Sequence, residues 1–225
     1  MCHNSCLAFG NKHLKAADIQ GKRVLEVGAC DVNGSLRPYI EGLRPHRYLG
    51  VDIQLGKGVD EECPVDELLR RYGPESFDLV VSTEMLEHVE DWLTSVANLK
   101  GVVRRGGLLL LTTRSLGFPP HGYPWDFWRY EVADLARIFG DFEIRALEDD
   151  PEAPGVFLLA RKPLDFRERD VSRETAYSML LGRRVCRLTA AQRLWFHARM
   201  RVGPLLPGWL RRWLGTWLSG TRGHR

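Results

Sequence analysis

The sequence is poor in cysteine and contains no long apolar run. Its five cysteines are an odd number at irregular spacing, which does not suit a disulfide framework and indicates a reducing compartment. No stretch reaches the roughly 18 unbroken apolar residues of a membrane-spanning helix. The segment MCHNSCLAFGNKH contains no apolar run of signal-peptide length. We therefore expect a cytoplasmic protein, with peripheral contact at the inner face of a membrane as an open alternative.

Metal-ligand spacing is also missing from the sequence. Cys2 and Cys6 form a C-x3-C pair, but no third cysteine follows at the spacing of a radical iron–sulfur cluster. Together with His3 and His13, the pair matches no common zinc pattern. The sequence therefore predicts no metal site.

Lysine is absent from the last part of the chain, and acids are scarce there. Residues 1–165 carry 19 Lys and Arg against 26 Asp and Glu, whereas residues 166–225 carry 13 Arg and 3 acids. We expect a domain over 1–165 and a basic, Trp/Arg-rich helical extension over 166–225. The imbalance indicates an anionic partner, although a solvated surface rich in arginine gives the same composition.

The extension contains an amphipathic pattern between residues 188 and 218. Six apolar residues recur on one helical face, and the neighbouring arginines lie off it: Trp209, Leu210, Trp213, Leu214, Trp217 and Leu218. Such a helix suits the surface of an anionic membrane. Docking on the protein's own surface, a dimer contact and a grip on nucleic-acid phosphates remain alternatives, and the oligomeric state stays open.

Short aliphatic runs alternate with helical patterns between residues 23 and 161. This alternation predicts an α/β fold with a doubly wound, mostly parallel seven-stranded sheet. The last two strands are separated by about eight residues, too few for a parallel crossover, so the last strand should run antiparallel. The predicted strands are 23–28, 47–52, 58–63, 77–82, 108–113, 142–147 and 156–161, and the predicted helices are 35–41, 65–73, 84–103 and 131–139.

The segment VLEVGACDVNG (residues 24–34) is the first candidate ligand site. Parallel sheets bind ligands beyond the carboxyl ends of their strands, and Gly28 and Gly34 flank the loop that follows the first strand. The spacing does not match the GxGxxG of dinucleotide sites. Glu26 lies within the strand, where a carboxylate suits a cationic ligand. An ordinary tight strand-to-helix turn is the alternative.

Four segments in order resemble class I S-adenosylmethionine-dependent methyltransferases (methyltransferase type 11-like domain). They are VLEVGACDVNG, RYLGVD (47–52), SFDLVVSTEMLEHVEDW (76–92) and VVRRGGLLLLTT (102–113). The chain departs from the family pattern at Cys30, which replaces a glycine, at Arg105, which replaces a proline, and at Pro64, where many members carry an acid. The resemblance implies a Rossmann-like fold that binds S-adenosylmethionine.

The resemblance also implies which residues hold this cofactor. Asp52 would accept hydrogen bonds from the ribose hydroxyls, and the backbone N–H of Val65 would contact the adenine in place of the missing acid. The complete set of expected cofactor residues is Glu26, Gly28, Ala29, Cys30, Gly34, Asp52, Ile53, Val65, Ser82, Thr83 and Glu84.

Two histidines are candidates for the catalytic base. His88 follows the fourth strand, and imidazole titrates near neutral pH, although a role in packing the helix start is the alternative. His121 belongs to the aromatic loop, residues 115–130 (SLGFPPHGYPWDFWRY). This loop either binds the acceptor or packs as a hydrophobic plug, and Trp128 is expected in the core. The candidate acceptor-binding residues are His121, Tyr123, Trp125, Asp126 and Arg129.

The aromatic loop and the fourth strand bear on the acceptor. Loops similar to HGYP-x-D-x-WR occur in methyltransferases that modify polysaccharides and sugars, which implies a glycan or another polar small molecule. The fourth strand ends in S-T-E-M and lacks the N/D-P-P-Y/F of enzymes that methylate DNA amino groups, so DNA is not expected. An RNA or protein methyltransferase recruited by the basic tail, and a degenerate module that binds the cofactor without catalysis, are the alternatives.

Overall fold

The computed structural model describes residues 4–122 and 125–202. A seven-stranded sheet forms the centre of the fold. Its strands in chain order are β1 (Arg23–Val27), β2 (Arg47–Asp52), β3 (Glu61–Glu62), β4 (Phe77–Thr83), β5 (Val103–Arg114), β7 (Glu143–Asp149) and β8 (Gly155–Arg161); β6 (Trp128–Arg129), β9 (Ala176–Ser178) and β10 (Arg183–Val185) form a second, three-stranded sheet.

The strand order is β3-β2-β1-β4-β5-β8-β7. Neighbouring strands from β3 to β5 pair in parallel, whereas β8 is antiparallel to both β5 and β7. The predicted seven-stranded, Rossmann-like sheet and its antiparallel last strand are therefore confirmed. The carboxyl ends of β1, β2 and β4 meet at one edge of the sheet, where the candidate cofactor residues lie.

Helices cover both faces of the sheet because the strands are apolar on both faces. Successive side chains of a strand point to opposite faces, so Leu109 and Leu111 join one hydrophobic cluster and Leu108 and Leu110 join the other. The helices are α1 (Asn4–His13), α2 (Ala16–Ile19), α3 (Arg37–Gly42), α4 (Leu68–Tyr72), α5 (Trp92–Val102), α6 (Val132–Ile138) and α7 (Ala190–Val202). Sequence patterns did not predict α1 and α2.

The predicted helix over 84–103 is wrong over its first eight residues. Glu84 has a left-handed backbone with φ of 54°, and residues 86–88 form a single 3-10 turn. The α-helix begins only at Trp92, where the Asp91 side chain accepts a hydrogen bond from the Thr94 N–H over 3.2 Å. The predicted helix would place His88 one turn after Glu84. Because residues 84–91 do not form an α-helix, His88 does not lie there.

Two strands differ from their predicted lengths by more than one residue. β5 begins at Val103, five residues earlier than predicted, and runs through Gly106 and Gly107. Gly106 has a φ of 76°, which glycine adopts without a steric penalty, so the predicted break is an irregularity within the strand. β3 is reduced from six predicted residues to two.

The extension after residue 165 is not helical throughout. β9 and β10 form an antiparallel hairpin, and β9 also pairs with β6 of the aromatic loop. Within the described residues, helix α7 is the helical part of this extension. The amphipathic stretch from Trp209 to Leu218 lies outside the described residues. No helix in the described part of the chain is long and apolar enough to cross a membrane.

Candidate active site

Gly28 occupies a position that no other residue fits easily. Its φ is 79°, and an added Cβ would lie 2.7 Å from the Cβ of Met85. The N–H groups of Gly28 and Ala29 both donate to the carbonyl oxygen of Val51, over 2.9 and 3.0 Å. The loop after β1 is thus anchored to β2 and packs closely against the turn that follows β4.

Glu26 is a buried acid in β1, only 2% exposed. Its carboxylate accepts a 2.5 Å hydrogen bond from the Tyr48 hydroxyl and a 3.3 Å hydrogen bond from the Ser35 hydroxyl. Burial raises the pKa of Glu26 to about 7, and the two hydroxyl donors only partly offset this effect. The group therefore gains or loses its charge near neutral pH, so that a bound cation would favour its ionised form.

Asp52 ends β2 and is hydrogen-bonded to the loop after β1. Its Oδ2 accepts from the Cys30 N–H over 3.0 Å, and its Oδ1 accepts from the Ile53 N–H over 2.7 Å. A carboxylate has about four acceptor positions, so capacity remains for ligand hydroxyls. Cys30 is not among the non-glycine residues with positive φ, so the replacement of the family's glycine brings no left-handed strain.

Two further predicted cofactor residues are Gly34, in the loop after β1, and Val65, in the turn after β3. The Gly34 N–H donates to Oδ1 of Asp31 over 2.8 Å, which closes the loop. Val65 is the first residue of a 3-10 turn that follows Pro64, and the first N–H groups of a helical turn have no acceptor within it. The Val65 N–H therefore has no acceptor within its own turn, and its contact with adenine stays a prediction.

The end of β4 carries the predicted residues Ser82, Thr83 and Glu84, all of them buried. Glu84 contacts the guanidinium of Arg114, which also lies 3.0 Å from Oδ2 of Asp150. Burial, together with the nearby Glu87 carboxylate, raises the pKa of Glu84 despite this cation. The structure therefore places the Glu84 carboxylate in a buried ionic cluster, and its contact with the cofactor stays a prediction. In the sequence, Arg114 stands out only as a charged residue directly after the predicted apolar strand 108–113.

The structure brings His88 and His121 together, with ring centroids 4.7 Å apart. Between them lies Glu87, a fully buried acid that the sequence analysis missed. Its Oε1 is 3.6 Å from Nε2 of His121 and 3.8 Å from Nε2 of His88. The only sequence signal was its position next to His88, because His121 lies 33 residues further along the chain.

Asp126 and Arg129 form an ion pair next to the cluster of Glu87, His88 and His121. Arg129 is buried and donates two hydrogen bonds to the Asp126 carboxylate. Asp126 also accepts from the His121 N–H over 2.9 Å. Despite burial, these donors hold the pKa of Asp126 well below its usual range. Burial lowers the pKa of His121, but the carboxylates of Asp126 and Glu87 outweigh it and raise the value to about 9.

The other aromatic-loop residues divide between core and surface. Trp128 is fully buried and donates from its indole N–H to the Val89 carbonyl oxygen over 2.8 Å, as expected of a core residue. Trp125 is 46% exposed, so it is accessible to a ligand. Tyr123 lies outside the described residues. Binding of an acceptor by Trp125, Asp126 and Arg129 stays a prediction, although the contacts of the last two are within the loop.

Comparison with known proteins agrees with the resemblance seen in the sequence. A family model described as a methyltransferase domain matches residues 5–148. Ubiquinone biosynthesis O-methyltransferases from Parvibaculum lavamentivorans and Idiomarina loihiensis are each 31% identical, over 88 and 106 residues. These matches cover 39% and 41% of this chain and 34% and 42% of the relatives. The chain therefore spans between a third and a half of the length of these curated relatives.

Solved structures share the fold at low sequence identity. The 1,6-didemethyltoxoflavin-N1-methyltransferase of Burkholderia thailandensis, which was solved with 1,6-didemethyltoxoflavin and S-adenosylhomocysteine, has a TM-score of 0.55 and 18% identity over 71% of this chain and 77% of its own. A methyltransferase from Mesorhizobium loti has a TM-score of 0.54 and 16% identity over 70% and 98%. Because the family model covers more than half of the sequence and the sheet has the same fold, the chain belongs to the class I S-adenosylmethionine-dependent methyltransferases.

Proposed function

We propose that this chain binds S-adenosylmethionine at the carboxyl ends of β1, β2 and β4 and methylates a polar small molecule, such as a glycan precursor. The observation that carries this proposal is the contact between Cys30 and Asp52. It holds the loop after β1 against a carboxylate that retains acceptor capacity. The same edge of the sheet is where open α/β folds bind their ligands.

The residues at this edge fit the cofactor. Gly28 has the backbone conformation that the cofactor loop requires and lets Met85 of the turn after β4 pack against this loop. The Asp52 carboxylate suits the ribose hydroxyls, and the side chain of Ile53, which is 70% exposed, offers an apolar face next to it. The buried Glu26 carboxylate suits the cationic end of the ligand. We assign the remaining expected contacts to Ala29, Cys30, Gly34, Val65, Ser82, Thr83 and Glu84.

The acceptor would lie on the side of Glu87, His88 and His121. Met85 packs against Gly28, so the turn that carries Glu87 and His88 is adjacent to the cofactor loop. When bound, S-adenosylmethionine would supply a methyl carbon on its sulfonium; the acceptor atom would bond to this carbon in line as the carbon–sulfur bond breaks and S-adenosylhomocysteine leaves. Catalysis then depends mainly on how the protein positions the two partners. We propose that His88 takes the proton of the acceptor, and that His121, whose raised pKa favours its protonated form, orients the acceptor.

A small-molecule acceptor is supported by two observations. The relatives described above are named for ubiquinone biosynthesis and for the methylation of 1,6-didemethyltoxoflavin, and both names refer to small molecules. In this chain, the backbone carbonyl oxygen of Trp125 contacts His88, and its half-exposed indole offers a flat face for stacking on a sugar or another ring. Recruitment of RNA or protein by the basic tail remains the second candidate, supported by the charge of residues 166–225.

The decisive measurement is calorimetry of the full chain with S-adenosylmethionine and S-adenosylhomocysteine. We expect binding of both, followed by release of S-adenosylhomocysteine when a panel of small hydroxylated acceptors is added. Absence of heat with either cofactor form would overturn the proposal. Binding without turnover on small molecules, RNA or protein would favour a degenerate binding module.

We further propose that the residues before and after position 165 have different roles. Residues 1–165 would carry the cofactor and the histidines, and the basic extension would contact an anionic surface, with an anionic membrane as the test case. Removal of residues 203–225 preserves Leu188 and Phe196, which pack into the core. We expect this truncation to abolish co-sedimentation with anionic liposomes. Unchanged co-sedimentation would refute the membrane contact.

A further inference from the structure

The structure assigns a binding site for a divalent transition-metal ion to Glu87, His88 and His121. Each residue offers one ligand atom, and the three atoms lie within 4.8 Å of one another. Tetrahedral zinc bound to imidazole and carboxylate at its usual bond lengths places neighbouring ligand atoms about 3.4 Å apart. The Glu87 Oε1 atom is 3.6 Å from His121 Nε2 and 3.8 Å from His88 Nε2. Small side-chain shifts are therefore sufficient to close the site.

The buried polar atoms of this cluster are incompletely satisfied. Oε2 of Glu87 accepts a 2.9 Å hydrogen bond from Thr113, whereas Oε1 has no hydrogen-bond partner among the described residues. Both ring nitrogens of His121 are also buried without one. Buried polar groups in native proteins are nearly always hydrogen-bonded, because an unsatisfied buried group destabilises the fold. One cation among these atoms satisfies Glu87 Oε1 and a His121 nitrogen together.

The surroundings orient both histidines as metal ligands. Histidines that bind metals donate their second ring N–H to a carbonyl or a carboxylate, which fixes the ring and its tautomer. Here Nδ1 of His88 contacts the carbonyl oxygen of Trp125, and Nδ1 of His121 lies 3.7 Å from the Asp126 carboxylate. Their Nε2 atoms both face Glu87. The arrangement therefore includes an outer hydrogen-bond partner for His88 and a carboxylate close to Nδ1 of His121, in addition to the three ligands.

The backbone holds these ligands close together. The Phe127 N–H donates to the carbonyl oxygen of Glu87 over 2.9 Å, which joins the aromatic loop to the turn after β4. An added Cβ at Gly122 would lie 2.6 Å from Cε1 of His88, so only a glycine allows the loop to approach this ring so closely. The proximity of the ligands is thus built into the backbone.

The ligand set selects the class of ion. Two imidazole nitrogens and one carboxylate oxygen suit Zn²⁺ and neighbouring first-row ions, whereas Mg²⁺ and Ca²⁺ prefer all-oxygen sites. Three protein ligands leave a coordination position for an outside oxygen. Binding of an acceptor hydroxyl there would lower its pKa and release its proton to water. This role rests on the proposed methyl transfer, whereas metal binding itself does not.

The test uses the full chain after treatment with a chelator. Zn²⁺ binding is measured by calorimetry, and Co²⁺ binding by its visible absorption. We expect one equivalent of either ion. In Glu87→Gln and His121→Gln, affinity should fall at least about 100-fold, because loss of a direct ligand exceeds the 10–100-fold effect of its outer partners. His46→Gln, at an exposed position in another part of the fold, should bind as the wild type does.

Thermal melting and S-adenosylmethionine calorimetry accompany each variant. A variant that retains its melting temperature and cofactor affinity but loses the ion supports the metal site. Equal ion affinity in wild type and both site variants would overturn it, as would an intense thiolate band in the Co²⁺ spectrum, which would place the ion on cysteines. If the wild type binds the metal ion but does not bind S-adenosylmethionine, only the proposed function is overturned.

Discussion

The backbone N–H of Cys30 donates a hydrogen bond to Oδ2 of Asp52 over 3.0 Å. This bond connects the loop after β1 with the end of β2. The same carboxylate also accepts from the N–H of Ile53. Asp52, the expected acceptor for the ribose hydroxyls, is therefore hydrogen-bonded to the cofactor loop. A substitution at Asp52 should affect both the ribose contact and the loop.

Asp52→Ala should weaken the binding of S-adenosylmethionine. Hydrogen bonds to a charged group contribute about 1.5–3 kcal/mol, so the dissociation constant should rise about 10- to 150-fold. Calorimetry measures this directly. Glu143→Ala, an exposed acid at the start of β7, is the matched control and should bind normally. Equal affinity in Asp52→Ala would refute the ribose role.

Gly28→Ala should destabilise the fold and abolish cofactor binding. The added Cβ must tolerate a left-handed backbone, at about 1–2 kcal/mol, and collides with Met85, which adds about 1–3 kcal/mol. Chemical denaturation gives the change in unfolding free energy. Gly42→Ala in α3 is the control, because its Cβ meets nothing within 4 Å, and it should be neutral or stabilising by up to about 1 kcal/mol.

Glu26 should make stability depend on pH between about 4.5 and 7. Burial raises the pKa of Glu26 from 4.5 to about 7 in the folded chain, so the folded state keeps a proton that the unfolded state releases. Its stabilising contribution is complete below pH 4.5 and is lost as the pH rises to about 7. The unfolding free energy of wild type should fall relative to Glu26→Gln by about 3 kcal/mol across this window. Parallel pH profiles of the two proteins would contradict the assignment.

Trp128→Phe should loosen the turn that carries Glu87 and His88. The substitution removes the indole donor from the Val89 carbonyl oxygen and leaves a buried acceptor unsatisfied, which costs about 1–3 kcal/mol. Denaturant unfolding is the measurement. Trp125→Phe, at a 46% exposed position, should change stability by no more than about 0.5 kcal/mol. Equal effects of both substitutions would show that the Val89 contact does not matter.

The strands of the central sheet were predictable because their apolar runs match the period and length of buried strands. The LLLL run of β5, for example, places alternate leucines in both hydrophobic clusters. The helical periodicity of Met85, Leu86 and Val89 was misleading, because apolar side chains that pack on the core from a 3-10 turn and its two flanking residues produce the same short pattern. Nothing local to the sequence reveals the left-handed backbone of Glu84.

The sequence predicts the parts of the candidate site that directly follow a predicted strand. It does not predict the parts that depend on contacts between residues far apart in the chain. Gly28 and Asp52 follow predicted strands, so their shared edge of the sheet followed from the topology. The meeting of Glu87 with His121 depends on how the aromatic loop folds back over the turn after β4. The β9–β10 hairpin was missed for the same reason, since its partner β6 precedes it by almost 50 residues.

The pairing of β6 with β9 has a consequence for the order of assembly during synthesis. The strands of the central sheet all lie before residue 162, so they can form as the chain emerges. The aromatic loop gains its sheet partners only after residues 176–185 have left the ribosome. The cofactor edge of this protein is thus completed first, and the histidine side of the site acquires its final shape last.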